Sequence, residues 1–279
     1  MDTTAFLRRL GLRGHDGPSL EALTTLHAAF SDSVSYETVQ YQFGQGGPLD
    51  PGAVAARIIS REAGGYCFQL NGSFGALLTE LGYQVTMHRG GAETETRPAK
   101  VDASHLVLTV DGLPDAPGSW LVDVGLGEGL TAPLPLRTER FEQEPFKLGL
   151  RPSEIVDGWR LDHDPRSSLV GMDFESAPAT MQAFEAQHAY LSRSPESPFV
   201  RLLSAFRRKS RSTAILRSLT LTELSATDTS TTVLETEPDF YTALADAFGL
   251  PMTHLTSPER TQLWHRVTAQ HEEFLARSQ

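Results

Sequence analysis

The chain has 279 residues, 39% hydrophobic and 21% charged, which is an ordinary composition for a globular protein. Its formal net charge of −11 argues against a general nucleic-acid binder, because such proteins need a basic face that displaces the counterions around phosphates. No apolar run reaches the ~20 residues that span a bilayer, and no signal-peptide pattern opens the sequence. The single cysteine excludes an internal disulfide, so we expect a cytoplasmic protein with neither a membrane nor a nucleic acid as partner.

The first third of the chain has the apolar spacing of amphipathic helices. The spacing predicts three helices, over residues 19–30, 51–60 and 66–81. Ser19 is a suitable N-cap for the first helix, and Gly82 is a suitable residue to end the third. We therefore expect a helical N-terminal region.

From residue 83 the pattern changes to short apolar runs separated by turn residues, which is typical of strands. Strands are predicted at residues 83–87, 105–110, 120–124, 159–161, 168–170, 214–224 and 231–235. The second and third of these are expected to pair as antiparallel neighbours. Helices are predicted again over residues 181–191, 238–248 and 258–276. Helices, then strands, then a mixed segment indicate an α+β protein rather than a doubly wound sheet.

The segment Gly-Gly-Tyr-Cys-Phe at residues 64–68 is the sharpest candidate for a chemical site. Its cysteine, Cys67, begins a predicted apolar helix, where unpaired backbone N–H groups and the helix dipole favour a thiolate and can hold an oxyanion. The two glycines allow a sharp turn and a close approach by a substrate. A lone cysteine is more often a small buried hydrophobe, so this segment by itself leaves a packing role open.

A nucleophilic cysteine needs a base, and the base needs an orienting group. Among nine histidines, His105 differs because it begins a predicted apolar strand. Asp123 lies inside the apolar run at residues 120–124, where a carboxylate is costly to bury unless it is paired. An imidazolium is a natural partner for it. If the two strands pair, the sequence predicts a triad of Cys67, His105 and Asp123.

Two further patterns suggest a cofactor or a metal, and both are incomplete. The Gly-Leu-Gly-Glu-Gly run at residues 125–129 continues with Leu130 and then with prolines, so it does not form a dinucleotide loop that opens a helix. The His-Glu-Glu run at residues 271–273 lacks the second histidine of a zinc protease, and one cysteine cannot make a CxxC pair. We expect no metal and no permanently bound cofactor.

A basic cluster follows at residues 207–211 and includes Arg207, Arg208 and Lys209. The plain interpretation is a solvated loop or strand edge. The sharper interpretation is a contact for an anionic co-substrate that carries a nucleotide phosphate.

Taken together, these motifs and their order resemble the arylamine N-acetyltransferase family. The resemblance is carried by residues 64–68, Asn71, Ser-His-Leu at 104–106, residues 120–127 and Thr-Ala-Pro-Leu at 131–134. It extends upstream to Ser-Tyr-Glu at residues 35–37, which is similar to the family's Pro-Phe-Glu segment, and downstream to residues 190–199. It covers most of the chain and is weakest after residue 200.

The resemblance implies an α+β fold with a cysteine-proteinase-like arrangement. A helical bundle (residues 1–85) would carry the nucleophile, a central antiparallel β-barrel (86–190) would carry the histidine and the aspartate, and an α/β lid (191–279) would follow. It places the catalytic triad on Cys67, His105 and Asp123. It also implies ping-pong transfer from acetyl-CoA to an aromatic amine. We expect substrate contacts from Tyr36, Phe68, Leu126, Gly127 and Phe199.

Several positions depart from the family pattern. Ala63 and Gln69 stand where the family usually has arginine and glutamate, and Leu126 stands in place of a phenylalanine. Glu37 would then lose its usual arginine partner unless Arg61 substitutes for it.

These departures keep a second function open, namely an amide synthase that releases or cyclises a polyketide chain from an acyl carrier protein onto an amine. The co-substrate would then be a carrier-bound thioester instead of an acyl-CoA. A hydrolase with the same triad and a non-enzymatic binding module are further alternatives.

Overall fold

The computed structural model describes residues 1–277, so the last two residues of the expected lid segment lie outside the described part. The helices, α1 to α8, are Thr3–Arg9, Leu20–Ser33, Pro51–Arg61, Cys67–Glu80, Glu185–Arg193, Pro198–Arg201, Glu237–Asp246 and Ser257–Arg277. Short 3₁₀ turns are Val39–Phe43 and Met181–Phe184. Within this described range, no helix has both the length and the apolar character that crossing a membrane requires.

The strands, β1 to β13, form two antiparallel sheets. They are Tyr36–Glu37, Gln84–Glu93, His105–Asp111, Trp120–Val122, Leu134–Pro135, Glu139–Gln143, Phe146–Pro152, Gly158–Asp162, Gly171–Ala179, Ser204–Arg208, Ser212–Arg217, Thr220–Ser225 and Thr229–Val233. The predicted α+β class is confirmed.

Two strand predictions are wrong. The predicted strand at residues 214–224 is a hairpin of β11 and β12, because the chain turns at Ser218, whose φ is +49°. Residues 168–170 form a loop rather than a strand, since the Ser168 N–H and hydroxyl donate to the buried carboxylate of Glu128. The pairing of β3 with β4 is confirmed, with Thr109 opposite Leu121.

The N-terminal helices form one core that encloses helix α4. The Ser19 hydroxyl accepts from the Ala22 N–H and starts α2, and Asp50 caps α3 directly before Pro51. Helix α4 is apolar almost all round and therefore packs inside, against α3 and β3. Its N-terminus is thereby held at a fixed place between the helices and the large sheet.

The larger sheet has the strand order β5-β4-β3-β2-β9-β8-β7-β6. Its two edge strands, β5 and β6, are adjacent in the sequence, so the sheet must curl to bring its edges near each other. The curled interior contains a core of buried apolar residues that includes Val107, Leu121, Phe146 and Phe174. The central region is thus a half-barrel.

The smaller sheet has the order β1-β10-β11-β12-β13, and helices α7 and α8 contribute to the core beside it. Strand β1 comes from the N-terminal helical region, where Tyr36 pairs with Phe206 of β10. The first and last parts of the chain therefore share one sheet. The division of the chain at residues 85 and 190 stays a prediction.

Candidate active site

Cys67 is the first residue of helix α4, as the sequence predicts. At this position the backbone N–H groups of Cys67 and Phe68 make no helical hydrogen bond, whereas those of Gln69 and Leu70 donate to the Tyr66 carbonyl. The preceding loop is held by β1, because the Glu37 N–H donates to the Gly65 carbonyl at 2.8 Å. Cys67 is 5% exposed and lines a cleft, so its sulfur is accessible from one side.

His105 and Asp123 meet as the strand pairing predicts. His105 begins β3, and Asp123 follows the last residue of β4 directly. The His105 Nε2 atom lies 2.7 Å from the Asp123 Oδ2 atom, and both side chains are almost fully buried. This bond leaves Nδ1 as the other ring nitrogen, and the Cys67 sulfur is near enough to His105 to raise its pKa. The Cys67 Sγ atom lies 4.0 Å from the carbonyl oxygen of Ser104, the residue before His105.

The electrostatics of the cluster favour a protonated imidazole. Burial lowers the pKa of His105, but the neighbouring Asp123 carboxylate and the Cys67 sulfur outweigh burial and raise the pKa to about 10. His105 is therefore positioned to hold a proton between the sulfur and the carboxylate at neutral pH.

Two more residues build the cluster. The Asn71 amide donates to Asp123 Oδ1 at 3.0 Å and to the Leu106 carbonyl at 2.6 Å. The Gly125 N–H donates to the same Asp123 oxygen at 2.8 Å. A Cβ at Gly125 would lie 2.8 Å from the Cys67 Cα, so the close approach requires glycine there. Asn71 was not predicted to act in the site, although an amide one turn after Cys67 in an apolar helix is a detectable signal.

The cleft at Cys67 and His105 has a volume of about 290 Å³. Three of the five predicted substrate residues, Tyr36, Leu126 and Phe199, line it. Its walls are largely apolar. Apart from His105, the charged side chains among its lining residues are those of Arg97, Arg217 and Glu128.

The other two predicted substrate residues do not line this cleft. Phe68 is fully buried and packs at 5.0 Å from the Tyr66 ring and 4.9 Å from the Phe184 ring, so its prediction is corrected to a core residue. Gly127 lies behind the cleft wall, where a Cβ would meet the Phe206 ring at 3.0 Å. Its role is to let the 125–129 loop pack against that ring.

The basic cluster at residues 207–211 is not part of the cleft lining. Arg208 is 4% exposed, and its guanidinium donates to the backbone carbonyls of Gly129, Gln143 and Glu144. It therefore fixes a loop and offers no free cation to a phosphate. Arg207 donates to the Asp32 carbonyl at 2.7 Å. Lys209 lines a separate surface depression beside β12.

The cleft's own cations, Arg97 and Arg217, were not predicted. The Arg217 guanidinium lies 5.2 Å from the Phe206 ring centroid and 3.8 Å from the Glu128 carboxylate. Both arginines come from loop or strand positions with no motif around them, so the sequence held no signal for them.

The partner of Glu37 is Arg57, so Glu37 keeps an arginine partner, and Arg61 is not the residue that provides it. The Arg57 Nη1 lies 3.8 Å from the Glu37 carboxylate, and its Nη2 donates to the Gly64 carbonyl at 2.5 Å. Nη2 also lies 3.3 Å from Gln69 Oε1, while the Gln69 Nε2 donates to the Pro48 carbonyl at 2.8 Å. Arg61 is one helical turn further on and is exposed.

Comparison with known proteins places the chain. Residues 19–256 match the sequence profile of the family described as N-acetyltransferase. Over 219 residues, which are 74% of this chain and 74% of the relative, the sequence is 32% identical to the arylamine N-acetyltransferase of Mycobacterium bovis. The chain belongs to the arylamine N-acetyltransferase family. It is therefore an enzyme of the transferase class.

Two further proteins are similar to the chain, one in sequence and one in structure. The chain is 32% identical over 165 residues to proansamycin X synthase of Amycolatopsis mediterranei, covering 57% of this chain and 61% of that one. The structure of the Mycobacterium marinum arylamine N-acetyltransferase in complex with CoA superposes with a TM-score of 0.84 at 27% identity. That superposition covers 95% of this chain and 98% of the other.

Proposed function

We propose that this enzyme transfers an acetyl group from acetyl-CoA to an aromatic amine through an acyl-cysteine on Cys67. The observation that carries the proposal is the buried cluster in which His105 is bonded to Asp123 and lines one cleft together with Cys67. A cysteine, an imidazole and a carboxylate in this order are the groups that nucleophilic acyl transfer needs.

The first half-reaction loads the cysteine. His105 holds the proton of Cys67, and the sulfur attacks the thioester carbonyl carbon. The carbonyl electron pair moves onto oxygen, where unpaired N–H groups at the start of α4 stabilise it. When the carbonyl re-forms, the bond to the donor sulfur breaks, and the donor thiol leaves with the proton from His105. Transfer of an acyl group from one thiol to another is nearly isoenergetic, which suits a cysteine nucleophile.

The second half-reaction transfers the acyl group from Cys67 to the amine. The amine nitrogen attacks the acyl carbon, and neutral His105 accepts the proton that the nitrogen loses. Collapse of the intermediate breaks the bond from carbon to the Cys67 sulfur, and an amide is released. Asp123 accepts from Nε2 throughout and keeps Nδ1 directed at the reacting atoms.

An acyl-CoA is the donor that the cleft suits best. The Mycobacterium marinum relative was solved in complex with CoA. In this chain, Arg97 and Arg217 are cations in the cleft wall that complement an anionic donor. The donor acts as a co-substrate that leaves after each turnover, so the proposal includes no permanently bound cofactor.

The amide-synthase alternative has a narrower basis in the structure. Arg57 and Gln69 satisfy the groups that the replacement of the family's arginine and glutamate would leave without partners. These two departures therefore do not require a different acyl group. Leu126 in the cleft and the similarity to proansamycin X synthase still favour the alternative.

The test is acylation of Cys67 followed by intact mass spectrometry. Wild-type protein is incubated with acetyl-CoA and, in parallel, with a polyketide-type thioester on a carrier protein. We expect one added acetyl group from acetyl-CoA, its loss when an arylamine is added, and no adduct on Cys67→Ala. Equal acylation of Cys67→Ala would contradict the proposal, and loading from the carrier alone would support the synthase. Release of free acetate in the presence of amine would indicate a hydrolase.

A further inference from the structure

Backbone pairing fixes Tyr36 beside the nucleophile loop. The Glu37 N–H donates to the Gly65 carbonyl at 2.8 Å, and the Gly65 N–H donates to the Ser35 carbonyl at 3.3 Å. Tyr36 therefore stands next to Gly65, two residues before Cys67. Because side chains alternate along a strand, Ser35 and Glu37 are buried on one side, while Tyr36 lines the cleft on the other.

Two aromatic neighbours hold the Tyr36 ring in place. Its centroid lies 5.3 Å from that of Phe206 and 6.3 Å from that of Phe199, and the rings are nearly perpendicular in both pairs. Edge-to-face contacts of this kind are favourable and restrict rotation of the ring. The direction of the hydroxyl is thus set by the cleft wall.

The hydroxyl of Tyr36 has no hydrogen-bond partner among the described residues. The chain has six tyrosines, and hydroxyl hydrogen bonds are made by Tyr41, Tyr66, Tyr83, Tyr190 and Tyr241. Within residues 1–277, the Tyr36 hydroxyl makes no hydrogen bond, not even to the Cys67 sulfur. The Tyr36 side chain is half-buried in the cleft wall, so its unpaired hydroxyl is free to bond a substrate atom that enters the cleft.

The Tyr36 hydroxyl is a hydrogen-bond donor at neutral pH. Burial and then the nearby Cys67 sulfur raise the pKa of Tyr36 well above its ordinary value. The phenol therefore keeps its proton and cannot serve as a base. Its interaction with Cys67 also shows that the two side chains are electrostatic neighbours.

We propose that the Tyr36 hydroxyl donates a hydrogen bond to the carbonyl oxygen of the acyl group on Cys67. This inference rests on the acyl-cysteine mechanism proposed above. Every acyl donor must bring its carbonyl oxygen to the sulfur, and negative charge develops on that oxygen as the bond from sulfur to carbon forms. Tyr36 keeps its own proton, and its hydrogen bond strengthens as the charge appears. The residue would then be catalytic, and it stands where the family has a phenylalanine.

The test compares Tyr36→Phe with wild type, since this change removes one oxygen and keeps the ring packing. Single-turnover acylation by acetyl-CoA is measured by rapid quench and intact mass spectrometry. The rate of alkylation of Cys67 by iodoacetamide is measured at the same pH. Acylation of Tyr36→Phe is expected to be about 100-fold slower, the lower end of the effect of removing an oxyanion donor. Alkylation is expected to be unchanged, because it reports the thiolate and involves no carbonyl oxyanion.

A matched control is Tyr190→Phe, which removes an exposed hydroxyl outside the cleft and is expected to leave both rates unchanged. Acylation of Tyr36→Phe within a factor of about two of wild type would overturn the assignment. An equal loss in acylation and alkylation would overturn it too, because the hydroxyl would then act on the sulfur. If wild type itself is not acylated, the proposed function fails together with this inference.

Discussion

Two buried polar clusters meet at the start of helix α4, and they lie on opposite sides of strand β1. The first cluster contains Cys67, His105 and Asp123 and opens into the cleft. The second contains Arg57, Glu37 and Gln69. Arg57 and Glu37 line a polar cavity of about 310 Å³, and Gln69 is bonded to Arg57 behind that lining. One cluster holds the groups proposed to react, and the other holds the backbone turn before Cys67.

The two clusters differ in how their charges are neutralised. In the first cluster, protonated His105 lies between the Cys67 sulfur and the Asp123 carboxylate. Transfer of its proton would change the charge of the cluster during a reaction. In the second, Arg57 is paired with Glu37 and bonded to the Gly64 carbonyl and to two amide side chains, so its charge is fixed. A cluster proposed to move protons thus lies beside an ion pair that holds the turn before Cys67 in place.

The largest effect is expected from Asp123→Asn. The asparagine oxygen can still accept from Asn71 and Gly125, but its amide would donate toward Nε2 and leave the proton on Nδ1. His105 could not then accept from Cys67, so single-turnover acylation should fall about 1,000-fold or more.

The matched control for that variant is Asp173→Asn, since Asp173 is equally buried but is paired with Arg160 outside the cleft. It should lose stability while each folded molecule keeps normal acylation. If both variants lose acylation to the same extent, the loss in Asp123→Asn would not show a specific role of Asp123 in acylation.

Arg57→Ala should produce the largest loss of stability. It leaves the Glu37 carboxyl buried without its cation, and breaking such a pair typically costs about 3–5 kcal/mol. Urea denaturation measures the change in the free energy of unfolding, and adding Glu37→Gln should recover part of it.

Arg61→Ala is the control for Arg57→Ala, because Arg61 lies one turn along the same helix and is exposed. It should change the free energy of unfolding by less than about 0.5 kcal/mol. A comparable loss in both variants would refute the assignment of Arg57 as the arginine that supports the turn.

A pH dependence of stability belongs to the first cluster alone. The pKa of His105 is raised from 6.5 to about 10 in the folded protein, so the folded state holds a proton that the unfolded state has released between these values. The resulting stability is fully present below pH 6.5 and is lost as the pH rises toward 10, by at most about 1.4 kcal/mol per pH unit. Urea denaturation at pH 7 and 9 should show this slope in wild type and not in His105→Gln, and parallel slopes would contradict it.

The sequence predicted the place of Cys67 and the contact between His105 and Asp123 for local reasons. A glycine pair before an apolar helix predicted the position of Cys67, and a carboxylate in an apolar strand predicted a buried partner for Asp123. It failed where the choice depended on packing. Arg57 and Arg61 are four residues apart on one helix, so nothing local distinguishes which of them reaches Glu37. Phe68 and Arg208 were assigned to substrates, but both are enclosed by other parts of the chain.

The sequence by itself determined the helix that presents the cysteine, the strand pair that brings imidazole to carboxylate, and the family. These follow from periodicity and residue chemistry, which act over a few neighbouring positions. Only the tertiary structure decided that Tyr36 faces the cleft while Glu37 faces Arg57, and that Arg97 and Arg217 provide the cleft's cations. Those choices depend on contacts between segments far apart in the chain, whose energies no local pattern records.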